Sequence, residues 1–166
     1  MNALLTIHVA LSLIEIAAGF AVVYGLLSSQ RLDGWTLAFL ATGVATNATG
    51  FMLPAHRFLP SHAIGILSLV AFGVAIYARS SQHFAGRWRW IYAVSIVVAL
   101  YIDVFAAVFQ SFLKIPALHE LAPTQSEPPF AIAQGVVTLA FIALGIAAAK
   151  KFHPAGAAAP APLSAS

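Results

Sequence analysis

Long apolar runs dominate this chain and leave it few ways to fold. Five recur, at about Ala3 to Leu27, Trp35 to Leu53, Ala63 to Ala78, Trp90 to Leu113 and Phe130 to Ala149. A helix needs roughly 20 apolar residues to cross about 30 Å of hydrocarbon, and these runs are close to that length. A transmembrane β-barrel is excluded, because its strands are segments of roughly ten residues with alternating polarity. Helices alone satisfy every lipid-embedded backbone group within one segment. The sequence therefore predicts an all-α fold, a polytopic transmembrane helical bundle of about five spans, formed as a single domain by residues 1–151. Composition agrees: 61% of residues are hydrophobic and 8% charged, against about 25% charged in a soluble domain.

The first run is read as a retained helix. It has no Lys or Arg before it, it is long for a secretory signal, and it carries Glu15 where such a signal has an apolar core. Residues 152–166, rich in Ala and Pro, are expected to form a disordered tail.

Five alternating spans put Arg31, Arg79, Arg87, Arg89, Lys150 and Lys151 on one side and only Arg57 and Lys114 on the other. The positive-inside rule then predicts a cytoplasmic C-terminus and an outside N-terminus. All three tryptophans, Trp35, Trp88 and Trp90, fall at the inner interface, where amphipathic rings sit. Pro54, Pro60, Pro116, Pro123, Pro128 and Pro129 fall in the outer loops. In the longer loop, Ile115, Leu118 and Leu121/Ala122 recur at helical spacing between Pro116 and Pro123, which predicts a short helix lying along the outer membrane surface.

A net charge of +3 from scattered cations excludes a nucleic-acid partner, which needs basic groups clustered on one face. With no cysteine there is no thiolate metal site, iron–sulfur cluster or cysteine nucleophile. Phosphate-loop, nucleophile-elbow and His-Glu-x-x-His patterns do not occur. A non-catalytic role is therefore favoured. Gly43 and Gly50, and Gly65 and Gly73, recur at near-heptad spacing and permit close helix packing.

An ionisable group inside a membrane span costs about 2.5 to 3.5 kcal/mol on insertion scales, so His8, Glu15 and Asp103 each ask for a reason. His8 and Glu15 stand at i, i+7, about 700° of helical rotation and nearly one face. Asp103 and Gln110 repeat the spacing. At 1.5 Å per residue, His8, Asn47 and Gln134 lie within roughly 5 to 10 Å of the outer boundary, and Glu15 and Asp103 roughly 15 to 20 Å deep. These depths predict an outward-opening polar pocket lined by His8, Glu15, Asn47, Asp103, Gln110 and Gln134, with His119 and Glu120 on the loop as a lid. The bland alternative for Asn47, Gln134, Thr42, Thr46 and Thr138 is interhelical hydrogen-bonding, worth about 0.6 kcal/mol each on average. Glue does not require a carboxylate. Glu15 and Asp103 are either neutral, as proton carriers are, or paired with His8.

His8, His56, His62, His119, Glu120 and Glu127 supply ligand types for zinc, copper or iron, but at no recognisable spacing. A bis-histidine haem needs two imidazoles at similar depth, for which His8 and His62 are the candidates.

The segment Leu121-Ala-Pro-Thr-Gln-Ser-Glu-Pro-Pro-Phe130 and Gln134, with Asp103, Phe109, Gln110 and Pro116 before it, resembles a segment shared by small uncharacterised bacterial integral membrane proteins. In size alone the chain is similar to the DoxX-like membrane proteins, which usually have four spans. The resemblance implies a multi-pass protein of the bacterial inner membrane and assigns no residue a role. Three functions follow as expectations. The first is binding or permeation of a small solute, cation or proton through the pocket. The second is an accessory or assembly subunit that self-associates or meets another membrane protein in the bilayer. The third is a redox component holding haem or a quinone near His8.

Overall fold

The computed structural model describes residues 3–53 and 60–154; His56 and Arg57, and the tail beyond Pro154, lie outside them. Six helices follow one another: α1 (Ala3–Leu27), α2 (Asp33–Met52), α3 (Pro60–Ser80), α4 (Trp88–Lys114), α5 (Pro116–Leu121) and α6 (Pro128–Lys151). Among the described residues there is no strand. The chain is a helical membrane bundle, and α1, His62–Ser80 of α3, α4 and α6 are each long and apolar enough to cross a membrane.

The less apolar exception is α2, diluted by Thr36, Thr42, Thr46, Asn47 and Thr49. Its 20 residues still measure about 30 Å, and it packs between α1 and α3. Several of its hydroxyls bond back to the helix's own carbonyls. Thr42 Oγ1 donates to the Ala38 carbonyl at 2.7 Å and Thr49 Oγ1 to that of Ala45 at 2.9 Å.

Prolines set several helix boundaries. Leu53, Ile115 and Glu127 each precede a proline and are extended, with ψ of 138°, 116° and 155°, because the proline ring disfavours helical geometry in the residue before it. Pro116 then opens α5 and Pro128 opens α6, where a missing N–H costs no helix bond. The end of α1 is closed by Ser29 at φ 56°. Gln30 N–H donates to the Gly25 carbonyl at 2.8 Å and Ser29 N–H to that of Leu26 at 3.2 Å, the two-bond Schellman closure.

The five long helices alternate in direction, because their ends meet at one pole. His153 N–H, after α6, donates to Ser29 Oγ, after α1, at 2.8 Å. Arg79, ending α3, holds Asp33, opening α2, at 2.8 Å. Arg89 of α4 donates to the carbonyl of Phe152. This pole therefore gathers the six cations that the sequence placed together.

The central helix is α4, which packs against α1, α3, α5 and α6. Phe39, Phe72, Ile96 and Leu100 are almost fully buried around it. Phe84, Tyr92 and Phe152 form a ring cluster at the cation-rich pole, with centroids 4.9 to 5.6 Å apart. Phe152 and Pro154 are buried, so the packed bundle extends to Pro154 rather than stopping at Lys151. Outward-facing Leu13, Leu37, Ile132, Val136 and Leu139 are more than 60% exposed, the distribution expected of a surface solvated by lipid.

Candidate functional site

Glu15 sits near the middle of α1, about 18 Å from either helix end, and its exposure is 0%. Glycine makes that placement sterically feasible. A Cβ on Gly43 of α2 would stand 2.7 Å from Glu15 Oε1 and 2.2 Å from the Phe72 ring. The missing side chain thus lets a carboxyl from α1 and a ring from α3 both press on the α2 backbone. One turn away, Gly19 admits Leu100 and Phe39 in the same manner, with 2.6 and 2.9 Å to its ideal Cβ.

Asp103 of α4 faces Glu15 across this junction, and Thr46 of α2 lies beside the pair. Three helices therefore converge on one acid pair. Yet Glu15 Oε1 and Oε2, Asp103 Oδ2 and Thr46 Oγ1 are all buried without a hydrogen-bond partner. Among the described residues, the ion pairs are Arg31–Asp33 and Arg79–Asp33, so no cation answers either acid. A carboxylate only accepts hydrogen bonds. A proton on one carboxyl would supply a donor between the two acids.

His8 occupies the predicted face of α1 but turns to α2 instead of the acids. Its Nδ1 lies 3.1 Å from the Thr46 carbonyl and 3.0 Å from Thr49 Oγ1. A carbonyl accepts only, and the Thr49 hydroxyl spends its own proton on the α2 backbone, so Nδ1 carries the hydrogen. His8 thus pairs with the α2 backbone rather than with a carboxyl, and Thr46 stands in the row between it and Glu15. The rotation of α2, which turns Gly50 toward the imidazole so that a Cβ there would stand 3.3 Å from His8 Cε1, makes the difference.

The other expected pocket residues are engaged elsewhere or exposed. Asn47 faces α3, donating to Ser68 Oγ at 3.2 Å and to the Gly43 carbonyl at 2.9 Å. Gln134 secures the seam between α6 and α4, with Nε2 donating to the Phe105 carbonyl at 3.1 Å. Gln110 is exposed, while Phe112 two residues on is buried against Phe130 of α6. His119 and Glu120 are exposed on α5, which packs against α4 and has no buried residue; they do not form a lid. Of the six residues expected to line the pocket, Glu15 and Asp103 are the two that face each other. His62 stacks on Phe51 at 5.6 Å, and among the described residues no three His, Asp or Glu side chains gather as a metal site.

Thr46 and Gly43 are the members that sequence reasoning undervalued, as glue and packing respectively. Their i, i+3 spacing puts both on one face of α2, which was the available signal. Comparison with family models, with curated proteins and with solved structures finds no match.

Proposed function

We propose that this is a multi-pass protein of the bacterial inner membrane that binds and relays protons at the Glu15–Asp103 pair. The observation that carries this reading is an uncompensated pair of facing carboxyls at the centre of the bundle. Of the ligands such acids take, a proton alone needs no volume. Glu15 is fully enclosed and its oxygen lies against Gly43, which leaves no space there for a solute or hydrated cation.

The polar row runs toward one pole only. The polar groups Thr46, His8 and Thr49 lie between the acids and the pole opposite the cations. Toward the cation-rich pole, Phe39, Phe72, Ile96 and Leu100 fill the core, and apolar side chains do not conduct protons. The reading is of a proton site in exchange with the outer face, and intramembrane carboxyls typically mark such relays.

Infrared difference spectroscopy of the reconstituted protein tests it. A protonated-carboxyl C=O band is expected in the wild type and altered or lost in Glu15→Gln and Asp103→Asn, with helical content unchanged by circular dichroism. With a pH-indicator dye outside the proteoliposomes, the same variants should take up fewer protons per chain after an acid pulse. Wild-type protein with no protonated-carboxyl band, or variants with unchanged proton uptake, would overturn the proposal.

A further inference from the structure

A second feature lies away from the acids, on the lateral face between α4 and α6. A groove of about 440 Å³ runs there, lined by Val94, Val97, Val98, Ile142, Gly145 and Ile146, with Lys150 at one end. Its other end is closed by Tyr101 and Thr138, whose hydroxyls bond to each other at 3.0 Å. Gly145 opens its floor, since a Cβ there would meet only Val97 Cγ1, at 3.7 Å. Ile142 and Ile146 stand 54% and 53% exposed on its rim, so the groove opens sideways toward lipid.

We infer that this groove holds one acyl chain of an anionic phospholipid, with the headgroup phosphate at Lys150. Length, polarity and charge agree. From Thr138 to Lys150, α6 rises about 18 Å, close to half of the roughly 30 Å hydrocarbon thickness and so to the depth of one leaflet. The walls between these ends are aliphatic or aromatic, suiting a hydrocarbon chain and offering a polar solute nothing. At the mouth, Lys150 and Lys151 share the pole with Arg87 and Arg89. Among the described residues the acid at that pole is Asp33, held by Arg79 at 2.8 Å and Arg31 at 3.6 Å. A free ammonium above an apolar slot complements a phosphodiester, and basic pockets between membrane helices on the cytoplasmic side hold anionic headgroups.

The full chain, reconstituted in equal parts phosphatidylglycerol and phosphatidylcholine and then extracted in mild detergent, is examined by native mass spectrometry. One phosphatidylglycerol per chain is expected, enriched over phosphatidylcholine by roughly fivefold for the single charge. Gly145→Phe, which fills the groove, should abolish retention of either lipid, and Lys150→Gln should keep a lipid but erase the preference. Ala149→Leu fills the same groove from its rim if Gly145→Phe fails to fold. Retention unchanged in both filling variants would place the lipid elsewhere. Retention with no headgroup preference would reduce it to bulk lipid, and a lipid-free dimer disrupted by Gly145→Phe would make a second copy the occupant. Each of these results overturns the inference.

Discussion

At the residue scale, the function of a glycine depends on what its absent side chain would strike. Gly43 and Gly73 share one reading from spacing, as small residues that permit close packing. The structure separates them. A Cβ on Gly43 would enter the Phe72 ring and the Glu15 carboxyl, whereas one on Gly73 meets nothing within 4 Å. Gly43→Ala should therefore destabilise by about 1 to 3 kcal/mol through overpacking, and also disturb the acid pair. Gly73→Ala should be neutral or stabilise by roughly 0.5 to 1 kcal/mol through helix propensity. Thermal unfolding in detergent measures both, and equal effects would remove Gly43 as the seat of the carboxyl. The acids were legible from the cost of ionisable groups in hydrocarbon, and the i, i+7 spacing correctly gave His8 and Glu15 one face. Partner choice was not legible. Whether His8 meets Glu15 or the Thr46 carbonyl depends on the rotation of α2 about its own axis, which positions counted along α1 do not contain.

At the element scale, local chemistry was the most readable part of the chain. The long helices begin and end near the edges of the apolar runs, and the short outer helix lies between Pro116 and Pro123 as its spacing requires. The loop after it shows a device the sequence did not reveal. Glu127 folds back as an acceptor: Oε1 takes the Thr124 hydroxyl at 2.8 Å and the Thr124 N–H at 3.2 Å, and Oε2 takes the Ser126 N–H at 3.1 Å. The Thr124 hydroxyl first, then the backbone amides, hold its carboxyl below the ordinary glutamate value. A depressed carboxyl contributes order that is fully present above its unfolded value, about 4.3, and lost as pH falls through the lower folded value. The amide resonances of Thr124 and Ser126 should accordingly hold steady from neutral pH to about pH 5 and shift below it. Glu127→Gln should abolish that shift. A shift centred above the ordinary glutamate range, or one surviving in Glu127→Gln, would contradict the arrangement. Gln125 belongs to the same turn, at φ 59° with its amide on the Phe109 carbonyl at 3.0 Å, so the loop is anchored to α4 independently of Glu127.

At the scale of the whole molecule, charge placement and the buried acids constrain each other. Ser29, Asp33, Arg79, Arg89 and Phe152 come together at one pole, so the alternation that the cation count assumed is present in the fold, and α5 with Lys114 belongs to the opposite pole. The positive-inside rule then puts the cation-rich pole in the cytoplasm. The absence of native cysteine makes this directly measurable, because every introduced thiol reports alone. Glu120→Cys on α5 should react with a membrane-impermeant maleimide in intact spheroplasts, and Ser81→Cys, between α3 and α4, only after lysis. Both positions are exposed, so a failure to label reports sidedness rather than burial. The result bears on more than orientation. The polar row of Glu15, Thr46 and His8 leads away from the cations, while Phe39, Phe72 and Leu100 fill the other direction. With the predicted sidedness the acid pair exchanges protons with the outer face. Reversed labelling would leave the pair intact but assign its access to the cytoplasm, and would move the Lys150 groove to the outer leaflet. Sidedness therefore determines the direction of any proton relay and the leaflet that supplies the lipid.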